Sequence, residues 1–295
     1  MSMHRPQLTS VIIPVYNDVA GIARTLEGLA WQSWPVDGIE VLVVDNGSEQ
    51  PVALLAEYPF PVQVIRCETP GSYAARNAGA AVAKGEVFAF TDADCIPCKH
   101  WLERGIDSLI EGKGKWAVGG EVVFTRDDSP TSVALYQMVI GFGQESNIRD
   151  KGFSATANLF CTKAQFEEVG PFDERLLSGG DREWAWRASK YQIGMVYQPD
   201  AIIYTAPRST LRGAIRQARR VVAGRAGLRK LGLAHMGDAA VAKQRSVWES
   251  VRWILVNRQL CAWDKVRLLS AATLIRTASA FECVRLAFGA KAERR

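Results

Sequence analysis

Along the first third of the chain, short unbroken apolar runs alternate with stretches in which apolar residues recur every three or four positions. Val11-Ile12-Ile13-Pro14-Val15 and Ile39-Glu40-Val41-Leu42-Val43-Val44 read as strands buried on both faces, the look of strands inside a parallel sheet. Between them Ile22, Leu26, Leu29 and Ala30 share one helical face, with Asn17 or Asp18 available as N-cap. Val62–Ile65 then reads as a third strand, Ala74–Lys84 as a helix stopped by Gly85, and Val87–Phe90 as a fourth strand. This alternation predicts an α/β fold on a mostly parallel central sheet flanked by helices.

After a helix over Lys99–Glu111 the pattern loosens. From Trp116 to about Gly152 the chain reads as irregular, with Gly119-Gly120 and Arg126-Asp127-Asp128-Ser129-Pro130 as breakers. A helix from about Ala185 to Tyr191 follows Gly179-Gly180-Asp181, and residues 116–207 are expected to complete the substrate side of a cleft. From Leu211 the pattern turns amphipathic: Ala214, Ile215, Ala218, Val221 and Val222 share its face, while Arg212, Arg216, Arg219 and Arg220 occupy others. Farther on, Trp248, Trp253 and Trp263 and several long aliphatic residues are interleaved with single arginines. The pattern predicts a catalytic domain over 8–208 and a basic amphipathic helical extension over 209–295.

Composition sharpens that division. With 295 residues, 48% hydrophobic and 23% charged, the chain is an ordinary globular sequence. Its net charge of +5 conceals an asymmetry: residues 1–207 hold 17 Lys and Arg against 26 Asp and Glu, whereas 208–295 hold 19 against 5. The last third is therefore a basic arm, fit for anionic lipid headgroups, nucleic acid or polyanionic substrates. Six cysteines, at 67, 95, 98, 161, 261 and 283, are too few and too dispersed for a disulfide framework and imply a reducing compartment. Cys95 and Cys98 have CxxC spacing, but no second pair or histidine cluster completes a zinc site. Residues 1–6 lack the apolar core of a secretory signal, and no run approaches the roughly 18 apolar residues of a membrane span. The expected location is the cytoplasm, with the arm able to hold the protein peripherally on the inner face of the plasma membrane.

The chemistry begins where the strands end. Tyr16, Asn17 and Asp18, then Asp45, Asn46 and Ser48, then Asp92 and Asp94 follow successive strands, and ligands of open parallel sheets bind outside the carboxyl ends of the strands. Phe88-Ala89-Phe90-Thr91-Asp92-Ala93-Asp94 delivers two carboxylates to that edge, and Mg²⁺ or Mn²⁺ commonly binds through one or two carboxylates with substrate phosphates completing the shell. Such a pair also serves as solvated loop residues or helix caps. Asp45 stands where related folds hold a ribose, or else it closes an Asx turn in Asp45-Asn46-Gly47-Ser48. Arg76 sits early in a helix, where the dipole disfavours a cation, so it either meets a diphosphate or is a surface arginine. Asp181 is either an N-cap or a general base over the cleft.

Taken together, these residues resemble the inverting glycosyltransferases of family 2, which have the nucleotide-diphospho-sugar transferase (GT-A) fold. The resemblance rests on Ser10-Val11-Ile12-Ile13-Pro14-Val15-Tyr16-Asn17, Val43-Val44-Asp45-Asn46-Gly47-Ser48, Ala75-Arg76-Asn77-Ala78-Gly79 and Thr91-Asp92-Ala93-Asp94. It continues through Asn158, Val169-Gly170-Pro171-Phe172-Asp173-Glu174, and Gly180-Asp181 with Arg187 downstream. It implies that Pro14, Tyr16 and Asp45 line a nucleoside pocket, Arg76 reaches the uracil or phosphate side, Asp92 meets the ribose and diphosphate, Asp94 ligates Mn²⁺ or Mg²⁺, and Asp181 is the catalytic base. The implied partners are a nucleotide-sugar donor, with UDP the commoner nucleotide by resemblance and others left open, and a glycan or lipid-linked acceptor.

Two departures stand out. Many relatives carry Glu-Asp where this chain has Gly180-Asp181, and some carry a histidine at the position of Thr205, which puts a second protein metal ligand in doubt. Gln217-Ala218-Arg219-Arg220-Val221 matches the Gln-x-x-Arg-Trp of processive members only in part, which favours transfer of a single sugar. Two other readings compete. A nucleotidyltransferase would carry a Gly-rich basic loop where Val15-Tyr16-Asn17-Asp18 stands, and a nucleic-acid-binding module would use the basic arm.

Overall fold

In the computed structural model, which describes residues 5–233, 247–257 and 260–290, the predicted alternation is present. Strands β1 (Thr9–Val15), β2 (Ile39–Asp45), β3 (Val62–Arg66) and β4 (Val87–Thr91) run parallel, with helix α1 (Val19–Ala30) between the first two and α2 (Ser72–Val82) before the fourth. The side chain of Asp18 accepts the Gly21 N–H at 2.8 Å and so is the N-cap of α1. A short strand, β5 (Cys95–Pro97), and helix α3 (Trp101–Glu111) follow.

The segment expected to be irregular is ordered. Trp116–Phe124 forms a nine-residue strand, β6, followed by helices α4 (Ser132–Ile140) and α5 (Gln144–Lys151). Gly119 and Gly120 lie inside β6 because neighbours crowd them. A Cβ on Gly119 would meet Ser154 Oγ at 2.4 Å, and one on Gly120 the Ala201 carbonyl at 2.1 Å. They mark close approach within a sheet. Strand β7 (Asn158–Thr162), helix α6 (Lys163–Val169), helix α7 (Gly180–Lys190) and strand β8 (Gly194–Thr205) complete this part, with α7 starting five residues before the expected Ala185.

The sheet order is β3-β2-β1-β4-β7-β6-β8-β5, with β7 antiparallel to both β4 and β6, and β5 antiparallel to β8. Asn158 stitches this half together. Fully buried, it donates to the carbonyls of Glu121 and Ala201, both at 2.8 Å, and accepts the Trp101 indole N–H at 2.8 Å. The core beneath is aromatic: Phe90, Phe160, Phe166, Phe172, Trp101 and Trp184 are buried.

The chain divides into two compact units, residues 1–123 with 143–205, and 124–142 with 206–295. The second unit is helical. It comprises α4, α8 (Leu211–Lys230), α9 (Val247–Val256) and α10 (Ala262–Ala287). Buried Glu282 of α10 joins Arg219 of α8 and Arg285 of its own helix, at 2.8 and 2.6 Å.

Candidate active site

Three strand ends supply the polar residues. β1 ends beside β2, with Val15 opposite Asp45, and β4 pairs along the other side of β1, so the loops after all three open along one edge. Pro14 is half-buried opposite Val44, and Tyr16 is 40% exposed just beyond it. Asn17, with a left-handed φ of 52°, binds the first loop to the second: its N–H donates to Ser48 Oγ and its Oδ1 accepts the Glu49 N–H, both at 2.9 Å.

Asp45 is buried and already engaged. Oδ1 accepts the Ser48 N–H at 2.9 Å, while Oδ2 accepts the Arg66 guanidinium at 2.6 Å and the Val52 N–H at 3.4 Å. Burial raises its pKa, but the bonds from Ser48, Arg66 and Val52 outweigh it and hold the carboxyl below the usual range. The turn closed by Asp45 is thus real, and Asp45 presents only its remaining lone pairs to the crevice. Asn46 fixes the entry to α2, donating to the Thr69 carbonyl at 2.7 Å and accepting the Gly71 N–H at 2.8 Å.

Arg76 is not a surface arginine. Its side chain is 3% exposed, pairs with Asp92 Oδ1, donates to the Ser72 carbonyl at 3.3 Å and lies 5.8 Å from the centre of the Tyr73 ring. The Asp92 carboxylate offsets the cost of a buried cation near a helix start.

Asp92, Asp94 and Cys95 bring their ligand atoms within 4.8 Å of one another. Cys95 is a poor member of that set. Burial, then the charges of Asp92 and Asp94, push its thiol well up, so it stays protonated. What remains is one exposed carboxylate, Asp94, and one, Asp92, with an oxygen beyond its arginine bond. Two hard oxygen donors at the rim suit Mg²⁺ or Mn²⁺, ions that take phosphate and water for the rest of the shell. Thr205, buried at the end of β8, pairs in register with Cys95, so the position where some relatives hold histidine does fall beside the carboxylates. Among the described residues, no histidine joins them.

Asp181 stands at the second position of α7, and Gly179, left-handed at φ 85°, is the N-cap, so capping does not account for it. Its Oδ1 accepts the Arg182 N–H at 2.8 Å and the Tyr73 hydroxyl at 3.2 Å, and among the described residues Oδ2 accepts no hydrogen bond. Burial raises the pKa of Asp181, against the opposing pull of the Arg182 N–H, Arg76 and the Tyr73 hydroxyl. The Tyr73 phenol is itself pushed upward by burial and the charge of Asp181, and so remains a donor.

Tyr73 is the residue that sequence reasoning missed. It joins Asp181 to the Arg76–Asp92 pair, and the glycine at 180 admits it: a Cβ there would meet the ring at 2.8 Å. Two residues of the sequence resemblance have structural jobs. Asn77 exchanges hydrogen bonds with the backbone of Phe172, both at 2.9 Å. Arg187 holds the Val169 and Pro171 carbonyls and pairs with Glu183, clamping the same loop to α7. The structure gathers Arg76, Asp92, Asp94 and Asp181 into one connected cluster, while Pro14, Tyr16 and Asp45 line the neighbouring strand ends.

A family model described as Glycosyl transferase family 2 matches residues 10–164. Glycosyltransferase AglE of Haloferax volcanii is 39% identical over 198 residues, 65% of either chain. The pre-mycofactocin glycosyltransferase of Mycobacterium tuberculosis is 28% identical over 213 residues, 69% of this chain and 43% of that one. The chain thus spans less than two thirds of both relatives. Among solved structures, mannosyltransferase PcManGT from Pyrobaculum calidifontis in complex with GDP-Man and Mn²⁺ has a TM-score of 0.56 at 18% identity, over 97% of this chain and 86% of that one. Residues 1–349 of TarS of S. aureus, in complex with UDP-GlcNAc, give 0.54 at 17%, over 97% and 93%. At these identities the likeness shows the fold, which is that of GT-A glycosyltransferases.

Proposed function

The chain belongs to glycosyl transferase family 2, and we propose that it moves one sugar from a nucleotide-diphospho-sugar, a UDP-sugar first among them, to an acceptor hydroxyl with inversion at the anomeric carbon. The acceptor belongs to glycan, polysaccharide or glycolipid synthesis. One observation carries this reading: Asp181, whose Oδ2 accepts no hydrogen bond among the described residues, is wired through Tyr73 and Arg76 to the Asp92–Asp94 rim. A base and a diphosphate-binding rim in one cluster are what single displacement at an acetal carbon requires.

Oδ2 of Asp181 takes the proton of the acceptor hydroxyl. The Tyr73 hydroxyl and Arg182 N–H fix Oδ1, so the carboxylate cannot rotate away. The freed oxygen attacks the anomeric carbon from the face opposite the diphosphate. One C–O bond forms, the bond to the diphosphate oxygen breaks, and the proton rests on Asp181. Its raised pKa suits a base, since burial increases the affinity of the carboxylate for the acceptor's proton. Arg76 holds Asp92 at the rim, and Asp45 with Asn17 and Ser48 shapes the nucleoside side. A divalent cation on Asp94 and the free oxygen of Asp92 would supply positive charge for the departing nucleoside diphosphate.

The test is a thermal-shift screen of nucleotide sugars with and without Mn²⁺, since a ligand at 100 times its Kd adds about 2.7 kcal/mol to the native state. A donor that stabilises only with the metal, and yields nucleoside diphosphate on turnover, supports the reading. Pyrophosphate released from a nucleoside triphosphate would replace it with nucleotidyl transfer.

A further inference from the structure

The helical unit exposes large apolar side chains in a regular pattern. On α10, Trp263, Val266, Leu274, Phe281 and Val284, with Phe288 just beyond its end, are 50% to 87% exposed. At about 100° per residue these positions fall within an arc of roughly 80°, which also holds the exposed Ser270 and Thr277, and the buried residues Leu268, Ala271 and Glu282 lie on another side. The stripe runs the length of a 26-residue helix, about 39 Å at 1.5 Å per residue. On α9, Trp248 is 81% and Trp253 38% exposed. So many large exposed apolar side chains on one face of the unit mark an interaction face.

The charges around it choose the partner. Lys265 and Arg276 lie toward one side of the stripe, and Arg267 and Arg285, which border it on the other, are ion-paired with Asp264 and Glu282. The two acids of α10 are both occupied, Glu282 by Arg219 and Arg285 and Asp264 by Arg267. Helix α8 adds seven basic residues and no acidic one across its 20 positions. A second copy of the chain would oppose one cationic unit to another. Double-helical nucleic acid would satisfy the cations but leave the indole and phenyl rings in water, and single strands would stack on the rings but not cover the aliphatic Val266, Leu274 and Val284. An anionic bilayer satisfies both, because Trp and Phe enter the boundary between headgroups and acyl chains while Lys and Arg meet the phosphates.

We infer that the helical unit docks on an anionic lipid surface, with the α10 stripe entering the interface and the helix lying in its plane. Among the described residues, no helix is long and apolar enough to cross a membrane, so the contact is interfacial. This inference goes beyond the proposed reaction and does not depend on it.

The test is sedimentation of the full chain with vesicles of phosphatidylcholine, alone or with about one third phosphatidylglycerol, while Trp emission is recorded. The protein partitions to the anionic vesicles at least about tenfold more strongly, with a blue shift, and high salt weakens the binding. The triple substitution W263S/F281S/F288S changes only exposed side chains, so the circular dichroism is retained while partitioning falls about tenfold or more. Arg216→Gln with Arg220→Gln, also exposed, weakens binding to anionic vesicles only. The inference is overturned if the chain stays in the supernatant, or if the triple variant partitions like the parent. It is equally overturned if the stripe instead drives a concentration-dependent dimer that the triple variant abolishes.

Discussion

The hydroxyl of Tyr73 donates to Oδ1 of Asp181 at 3.2 Å across 108 positions of sequence, tying α2 to the residue proposed as base. That bond lowers the pKa of Asp181 against burial, which raises it. Tyr73→Phe therefore raises it further. The acidic limb of the pH–rate profile moves to higher pH, and kcat at neutral pH falls about ten- to 100-fold, the worth of one hydrogen bond to a charged group at about 1.5 to 3 kcal/mol. KM for the donor is unchanged. A profile that does not move would make Tyr73 a packing residue only.

Gly180 leaves room for that tyrosine. Gly180→Ala drives a Cβ to 2.8 Å from a ring already packed against Phe172 and Arg76. The expected cost is about 1 to 3 kcal/mol by urea unfolding. In a Tyr73→Ala background the same substitution costs almost nothing, so the double-mutant cycle is strongly non-additive.

Asp94→Asn removes one of the two rim carboxylates and leaves the pairing of buried Arg76 with Asp92 intact. Thermal stability without metal stays near the parent. The Mn²⁺-dependent part of the donor's thermal shift is lost, and isothermal titration with Mn²⁺ and nucleotide shows affinity down by at least about tenfold.

Much of this site was legible because buried parallel strands write themselves as unbroken apolar runs, and whatever follows each run lies at one edge. Asp45, Asp92 and Asp94 were found that way. The antiparallel half was not. Gly119 and Gly120 looked like breakers because sequence does not show that Ser154 and the Ala201 carbonyl approach them. Tyr73 carried no signal either, since its role depends on a glycine in a distant helix. The structure also separated residues that the resemblance presents alike: Asn77, Asn158 and Arg187 hold loops and strands, while Arg76 and Asp181 meet at the cluster.

Glu282 anchors the helical unit. Its pKa is held down to about 2, chiefly by the Arg285 bond, with burial opposing and Arg219 adding to the effect. A carboxyl whose folded pKa lies below the unfolded value contributes stability above the unfolded pKa and loses it on the way down. Helicity of this unit should therefore fall as the pH drops from about 4.5 towards about 2. Glu282→Gln destabilises it by about 2 to 4 kcal/mol at neutral pH, measured by urea unfolding followed by circular dichroism, because two arginines lose their partner.

The most direct measurement is single-turnover sugar transfer by Asp181→Asn, run beside donor binding on the same protein. Transfer slows roughly 10²- to 10⁴-fold, the scale of a lost general base, with nucleotide-sugar affinity within about twofold of the parent. Near-normal transfer would contradict this and remove Asp181 as the base.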